Sequence, residues 1–424
     1  MTSRECALKI LFEVEKNGAY SDKALKKALP FAELSPQDRA FATELVYGVI
    51  KNKSRIDFII QKYSSQKLKK LSIWILNAIR IGVYQMIFLD KVPHSAAVNE
   101  SVTLAKRYGH KASSGFVNGV LRSVSRTGDV EYPTGKEGLC IYYSHPEWLV
   151  DLICKQYGEA LAKEILIANN INPPVTVRVN TLKTTADGLC ESLSEKGIIT
   201  TKTKVENIVE IAKFGDISAL DEFKNGLFTV QDTGAYLCAR AISPQKNELI
   251  IDVCAAPGGK ATQMAEMSED KATILAFDIH PHKIELIEKS AKRLGITSIN
   301  AQINDATILN SEYIEKADKV LADVPCSGLG IIRKKPDIKW TKTPDDIKEI
   351  IKIQKKIIET SAKYLKPNGI LVYSTCTINK DENEGITKEF IKNNTFEILE
   401  ETTLLPNENN CDGFYICKMR KGNV

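Results

Sequence analysis

The chain has 424 residues, of which 43% are hydrophobic and 26% charged, so it is long and apolar enough for two or three globular domains. Its ten cysteines form no CxxC pair and have no regular spacing, which disfavours a disulfide scaffold and a zinc finger. The first residues do not resemble a secretory signal, and no uncharged apolar run reaches the ~18 residues of a membrane span. We therefore predict a cytoplasmic protein with neither a metal nor a membrane partner.

Positive charge is concentrated in the first third of the chain. Residues 1–130 contain 21 Lys and Arg against 11 Asp and Glu, a net charge of +10, whereas residues 131–424 have a net charge of −5. A basic segment of this kind indicates an anionic partner such as a nucleic acid. A solvated helical face explains the same charges equally well.

Helical patterns dominate residues 1–130. Residues 35–38 read Ser-Pro-Gln-Asp, which combines an N-cap, a proline at the first helical position and an acid in the first turn. A broad apolar stripe over residues 71–87 predicts a central core helix. Strand patterns are scarce, and we therefore predict an all-α domain over residues 1–130.

A small mixed domain is predicted next. VTVRVNTLK at 175–183 and LFTVQD at 227–232 alternate as strands do, and residues 185–196 have a helical pattern. Residues 131–234 are therefore assigned to linker helices and a small α+β domain.

From residue 235 onward, short apolar strands alternate with helices. Strands are predicted at 249–253, 272–279, 298–305, 319–324 and 369–375. This alternation predicts a parallel, doubly wound α/β sheet over residues 235–424. Ligands of such sheets bind beyond the carboxyl ends of the strands.

A loop with the sequence AAPGGK (255–260) follows the first of these strands and opens a helix. The helix N-terminus offers free N–H groups to a carboxylate or phosphate, and Asp278 ends the next strand, where an acid can bind ribose hydroxyls. The loop matches neither the GxGxxG pattern nor the spacing of a phosphate-binding loop. A nucleoside-type cofactor is indicated, and S-adenosylmethionine fits, although these residues alone do not select the methyl donor.

Two cysteines follow the fourth and fifth strands of this domain, Cys326 within DVPCSG and Cys376 within STCT. A free cysteine is most often a buried apolar residue, but two thiols at adjacent strand ends favour nucleophilic catalysis. A thiolate that adds to C6 of cytosine makes C5 nucleophilic enough to accept a methyl group. An acid at N3, for which Asp323 is the candidate, stabilises the adduct.

These motifs identify a family resemblance. DVCAAPGGK (252–260), DVPCSG (323–328) and YSTC (373–376) closely resemble segments of the RNA cytosine-5 methyltransferases. The N-terminal third resembles NusB, an RNA-binding fold, and RVNT (178–181) and VQD (230–232) resemble the family's small RRM-like insert. This three-part layout is similar to that of the RsmB family, also called Sun or Fmu, which methylates cytosine 967 of 16S rRNA in the reference numbering.

The resemblance implies roles for particular residues. Cys376 attacks C6, Cys326 assists release of the product, and Asp323 holds the cytosine near N3 with Lys260 close by. The implied S-adenosylmethionine site comprises Cys254, Ala255, Ala256, Pro257, Gly258, Gly259, Lys260, Asp278, Asp305 and Asp323. The candidate RNA contacts are Arg178, Arg333, Lys334 and Lys335.

The implied substrate is 16S rRNA, either naked or in an assembling small subunit, and a monomer is the default expectation. Two alternatives stay open. The same chemistry could act on tRNA or 23S rRNA, or the chain could be a non-catalytic NusB-like RNA-binding factor. Two thiols and Asp323 at strand ends speak against the binding factor, because a binder has no need of them.

Overall fold

The computed structural model describes residues 1–408 and 411–423, which form two compact units. The first unit contains Met1–Ile171 and Ile332–Thr341, and the second contains Asn172–Ile331 and Lys342–Val424. No helix in the described part of the chain combines the length and the apolar character that a membrane span requires.

The first unit is helical, as predicted for residues 1–130. The Ser35 hydroxyl accepts a hydrogen bond from the Asp38 N–H at 3.1 Å and Pro36 begins a helix, which confirms the predicted helix start. Apolar side chains from most of the helices form one core. The helices of residues 1–171 are α1 (Ser3–Asn17), α2 (Ser21–Ala28), α3 (Pro36–Lys51), α4 (Lys53–Tyr63), α5 (Ile73–Phe88), α6 (His94–Tyr108), α7 (Lys111–Thr127), α8 (Gly135–Tyr142), α9 (Glu147–Tyr157) and α10 (Glu159–Ala168).

The second unit begins with an antiparallel sheet of order β2-β3-β1-β4. Its strands are β1 (Val175–Val179), β2 (Ile199–Lys202), β3 (Ile208–Ala212) and β4 (Phe228–Val230), and its helices are α11 (Ala186–Glu195) and α12 (Asp221–Lys224). β1, β4 and α11 confirm the predicted elements. The sequence analysis missed β2 and β3, and β2 is an edge strand whose largely exposed residues show no alternation.

A second sheet has the order β10-β11-β9-β8-β5-β6-β7. Its strands are β5 (Leu249–Asp252), β6 (Thr273–Asp278), β7 (Ile299–Ile303), β8 (Ala317–Asp323), β9 (Leu365–Thr375), β10 (Phe396–Leu404) and β11 (Phe414–Lys421). β5 to β9 are parallel, as predicted, but β11 is antiparallel to both β9 and β10. The predicted doubly wound α/β sheet is confirmed, and an antiparallel pair is added to it, because the short connection at 405–413 can join β10 and β11 only in that way.

Helices cover both faces of this sheet, so the fold is a Rossmann-like α/β domain. They are α13 (Thr233–Ile242), α14 (Gly259–Met267), α15 (Pro281–Leu294), α17 (Pro344–Tyr364) and α18 (Glu384–Asn393), with the short α16 (Ile338–Thr341) lying before α17 in sequence. The strand order reverses between β5 and β8. This switch point is where a doubly wound sheet binds its ligand, beyond the strand ends at Asp252 and Asp323.

Residues 332–341, which include α16, belong to the helical unit although they follow β8 in the chain. The Lys339 Nζ donates to the Lys51 carbonyl at 2.8 Å, and the Trp340 indole N–H donates to the Ile50 carbonyl at 2.8 Å. The chain therefore leaves the α/β unit shortly after the Cys326 motif, packs with α3, and returns at residue 342.

Candidate active site

Cys326 and Cys376 lie side by side. Cys326 follows β8 and Cys376 follows β9, and these strands are parallel neighbours, so both thiols reach the same edge of the sheet. The two Sγ atoms are 3.3 Å apart, and both cysteines are free thiols. This distance is that of an S–H···S hydrogen bond, so the two side chains are close enough to act on one substrate base.

The contact between the two thiols affects the protonation of Cys326. The hydrogen bond to Cys376 raises the pKa of Cys326, and burial and the charges of Glu382 and Asp323 raise this pKa further. Cys326 therefore keeps its proton near neutral pH. A protonated thiol in contact with a second thiol is compatible with a reaction in which only one of the two acts as nucleophile.

Asp323 ends β8 and is held from two sides. The Lys260 ammonium donates to Oδ2 at 2.6 Å, and the Ser374 hydroxyl donates to Oδ1 at 2.8 Å. Burial lowers the pKa of Lys260, but the Asp323 carboxylate opposes burial strongly enough to raise this pKa overall. Lys260 is therefore an ammonium at neutral pH, and it fixes an oriented carboxylate beside the thiols. Ser374, two residues before Cys376, was not singled out by the sequence analysis.

The loop at 254–260 leads from β5 into α14. Gly258 has φ of +99°, and a Cβ there would lie 3.2 Å from the Ile287 Cα, so glycine is required. Because α14 begins at Gly259, its first backbone N–H groups can receive an anion. Asp278 ends β6 and Asp305 follows β7, so both lie at the same sheet edge as this loop.

Asp252, which ends β5, is a site residue that the sequence analysis missed. Its side chain is 1% exposed, and among the described residues no group donates a hydrogen bond to Oδ2. Burial, assisted by the charge of Asp323, raises its pKa to about 7. A cationic ligand group would pair with this oxygen and favour its charged form. Its position directly before the AAPGGK loop was the available signal.

These residues fit S-adenosylmethionine. Asp252 can pair with the methionine ammonium, the N-terminus of α14 can receive the methionine carboxylate, and Asp278 can accept from the ribose hydroxyls. Asp278 is nearly buried and accepts from the His280 N–H at 3.1 Å, which orients its carboxylate. Within the described residues, no cluster of three His, Cys, Asp or Glu side chains is arranged to hold a metal ion.

Arg178, predicted to contact RNA, is buried instead, with 1% of its surface exposed. Its guanidinium donates to the Gly259 carbonyl at 2.6 Å, to the Thr262 hydroxyl at 3.1 Å and to the Glu266 carboxylate at 2.7 Å. The prediction is therefore wrong for Arg178, because the side chain is buried and both NH₂ groups of its guanidinium donate to α14. This arginine links the small sheet to the helix that begins at the cofactor loop.

The other predicted RNA contacts lie in residues 332–341 of the helical unit. Arg333 is 5% exposed, so its guanidinium is not presented to a phosphate and this prediction is also corrected. Lys334 is half-buried and Lys335 is exposed. Contact of these two lysines with RNA stays a prediction.

We expect Arg178→Met to lower the free energy of unfolding by about 3–5 kcal/mol, because Glu266 stays buried without its cation. The KM for S-adenosylmethionine should rise, because the Gly259 carbonyl loses its donor at the start of α14. Denaturant unfolding and a cofactor titration measure the two effects. The double variant Arg178→Met, Glu266→Met should recover most of the lost stability, and no recovery would contradict this explanation.

Three family models match the chain. Residues 239–420 match the 16S rRNA methyltransferase RsmB/F, residues 1–126 match the NusB family, and residues 145–218 match the ferredoxin-like domain of RsmF/B-like methyltransferases. The last two matches agree with the helical unit and with the small antiparallel sheet.

Relatives that match over nearly their whole length are named as methyltransferases of small-subunit ribosomal RNA. The probable ribosomal RNA small subunit methyltransferase B of Bacillus subtilis (strain 168) is 39% identical over 99% of this chain and 98% of its own. Ribosomal RNA small subunit methyltransferase B of Pasteurella multocida (strain Pm70) is 31% identical over 99% of this chain and 96% of its own.

Solved structures share the fold. PH0851 covers 99% of both chains with a TM-score of 0.85 at 24% identity. A methyltransferase homolog from Pyrococcus horikoshii covers 67% of this chain and 97% of its own, with a TM-score of 0.61 at 27% identity. The full-length relatives and the matching family model show that the chain belongs to the RsmB/F family of 16S rRNA methyltransferases, which are S-adenosylmethionine-dependent enzymes.

Proposed function

We propose that this protein methylates C5 of one cytosine of 16S rRNA, position 967 in the reference numbering. The observation that carries the proposal is the pair of thiols 3.3 Å apart beside the Asp323–Lys260 ion pair. The names of the full-length relatives support the small-subunit RNA as the substrate.

The reaction begins at Cys376. Its thiolate forms a bond to C6 of the cytosine, and the electrons of the C5–C6 double bond make C5 nucleophilic. S-adenosylmethionine supplies the methyl group that becomes bonded to C5. The C5 proton then leaves to a base and the bond between Cys376 and C6 breaks, which restores the aromatic ring. Cys326, in contact with Cys376, assists this release.

Asp323 orients the substrate base. A cytosine offers an N4 amino donor next to N3, and a carboxylate fixed at the strand end can accept from this edge. Protonation at N3 stabilises the adduct, and a proton shared between Asp323 and N3 meets that need. Lys260 holds the carboxylate in place through its 2.6 Å contact with Oδ2.

The substrate must expose the target base. Cys326 and Cys376 are only partly accessible, so the cytosine has to leave its stack to reach them. Loops and ends of RNA meet this requirement at the lowest cost. The excess positive charge of residues 1–130 supports phosphate binding by the NusB-like part of a monomeric enzyme.

The test is bisulfite sequencing of total rRNA and tRNA from cells with and without the gene. We expect one protected cytosine of 16S rRNA to lose its protection when the gene is absent. Purified protein should restore it on a naked transcript or on isolated small subunits, which identifies the assembly stage. If a cytosine of tRNA or 23S rRNA loses its protection instead, 16S rRNA is not the substrate. If no cytosine changes, the result favours a non-catalytic RNA-binding factor.

A further inference from the structure

Glu382 is a fully buried carboxylate just before α18. Its Oε2 accepts from the Ser327 N–H at 2.8 Å and from the Gln354 amide at 3.1 Å. Its Oε1 accepts from the Ser327 hydroxyl at 2.5 Å and from the Asn379 amide at 3.0 Å. These donors are neutral, and a buried charge held only by neutral groups is costly to keep.

The donors come from both loops that carry the thiols. Ser327 directly follows Cys326, and Asn379 lies three residues after Cys376. A backbone contact crosses between the same loops, because the Gly330 N–H donates to the Cys376 carbonyl at 3.0 Å. The Glu382 carboxylate is thus a side chain on which the segments after β8 and β9 converge.

We propose that Glu382 is a positioning residue that holds the Cys326 and Cys376 loops in register and places a negative charge beside Cys326. The inference rests on the proposed function, because it assigns Glu382 to the release step of that reaction. Glu382 touches neither substrate nor cofactor in this scheme and acts through the two thiols.

Only a carboxylate can both accept hydrogen bonds from the two loops through two oxygens and place a negative charge beside Cys326. A glutamine has one acceptor oxygen, and its NH₂ group would face either the Ser327 N–H and the Gln354 amide or the Ser327 hydroxyl and the Asn379 amide. The titratable groups that face Cys326 are Cys376, Glu382, Asp323 and Tyr373. The contact with Cys376 and burial raise the pKa of Cys326 most, and the charge of Glu382 raises it further. Cys326 therefore stays protonated until the release step uses its proton.

The test compares Glu382→Gln with the parent enzyme on a 16S rRNA transcript. We expect kcat to fall about 10- to 100-fold, as for other residues that orient reactive groups, while the KM for S-adenosylmethionine is unchanged. The alkaline limb of the kcat–pH profile should move to lower pH, because Cys326 loses its proton more easily without the nearby carboxylate. A purely structural role would not move that limb.

Two further variants sharpen the result. Glu382→Asp keeps the charge but shortens the reach, so kcat should fall while the alkaline limb stays at its parental pH. Glu389→Gln is the matched control on α18, because that exposed carboxylate pairs with Lys355 and faces neither thiol. It should behave as the parent enzyme does.

The outcomes separate this inference from the proposed function. A parent enzyme that methylates no cytosine overturns the proposed function. An active parent overturns the inference if Glu382→Gln retains full kcat, or loses kcat without a shift of the alkaline limb. If Glu382→Gln does not fold, the kcat of Glu382→Asp is the test. A parental kcat in that variant overturns the inference.

Discussion

Cys376→Ala should abolish methyl transfer while RNA binding is retained. We expect kcat to fall by at least roughly four orders of magnitude, as when the nucleophile is removed from other covalent enzymes. Without the thiolate, C5 of cytosine stays a poor nucleophile, whereas phosphate contacts do not involve this side chain. Incorporation of labelled methyl into a 16S rRNA transcript measures the first effect, and filter binding of the same RNA measures the second.

The matched control for this variant is Cys190→Ala, the same substitution in α11, a helix of the small α+β domain. It should leave both turnover and RNA binding close to those of the parent. If Cys376→Ala retains more than about one ten-thousandth of the parental kcat, the nucleophile has been assigned to the wrong thiol. A loss of RNA binding would show instead that the substitution disturbs more than the chemistry.

Cys326→Ala should trap the enzyme on its RNA. If Cys326 assists release, its removal leaves the bond between Cys376 and C6 intact after the methyl group has been added. We expect a covalent complex that survives denaturing electrophoresis, approaches one RNA per enzyme and requires S-adenosylmethionine to accumulate. Turnover should fall at least about 100-fold, the loss of a general acid–base contribution.

The double variant Cys326→Ala, Cys376→Ala provides the control, because it has no thiol to form the adduct. It should give no denaturant-resistant complex under the same conditions. Parental turnover by Cys326→Ala would contradict the release role. A complex that formed with Cys376→Ala but not with Cys326→Ala would reverse the two assignments.

The sequence by itself determined most helices and strands, though not β2 and β3, and the sheet edge on which the site lies. Apolar periodicity is a local property, and it predicted the strands at 249–253 and 319–324 as well as the helix that begins at Pro36. Parallel strands end at one edge of a sheet, so the positions of Cys326 and Cys376 in the sequence already predicted that they are neighbours. Their contact at 3.3 Å agrees with that prediction.

Only the tertiary structure decided the partners of charged side chains. Arg178 lies in a strand, and nothing local to it distinguishes a solvent-facing arginine from one that pairs with Glu266, 88 residues later. In the same way, Glu382 and Asp252 read as ordinary acids in the sequence but are buried carboxylates at strand ends and loops. A side chain's burial depends on which distant segments pack against it. Periodicity within one segment therefore fixes the helix or strand, while the electrostatics of the site emerge only once those segments are assembled.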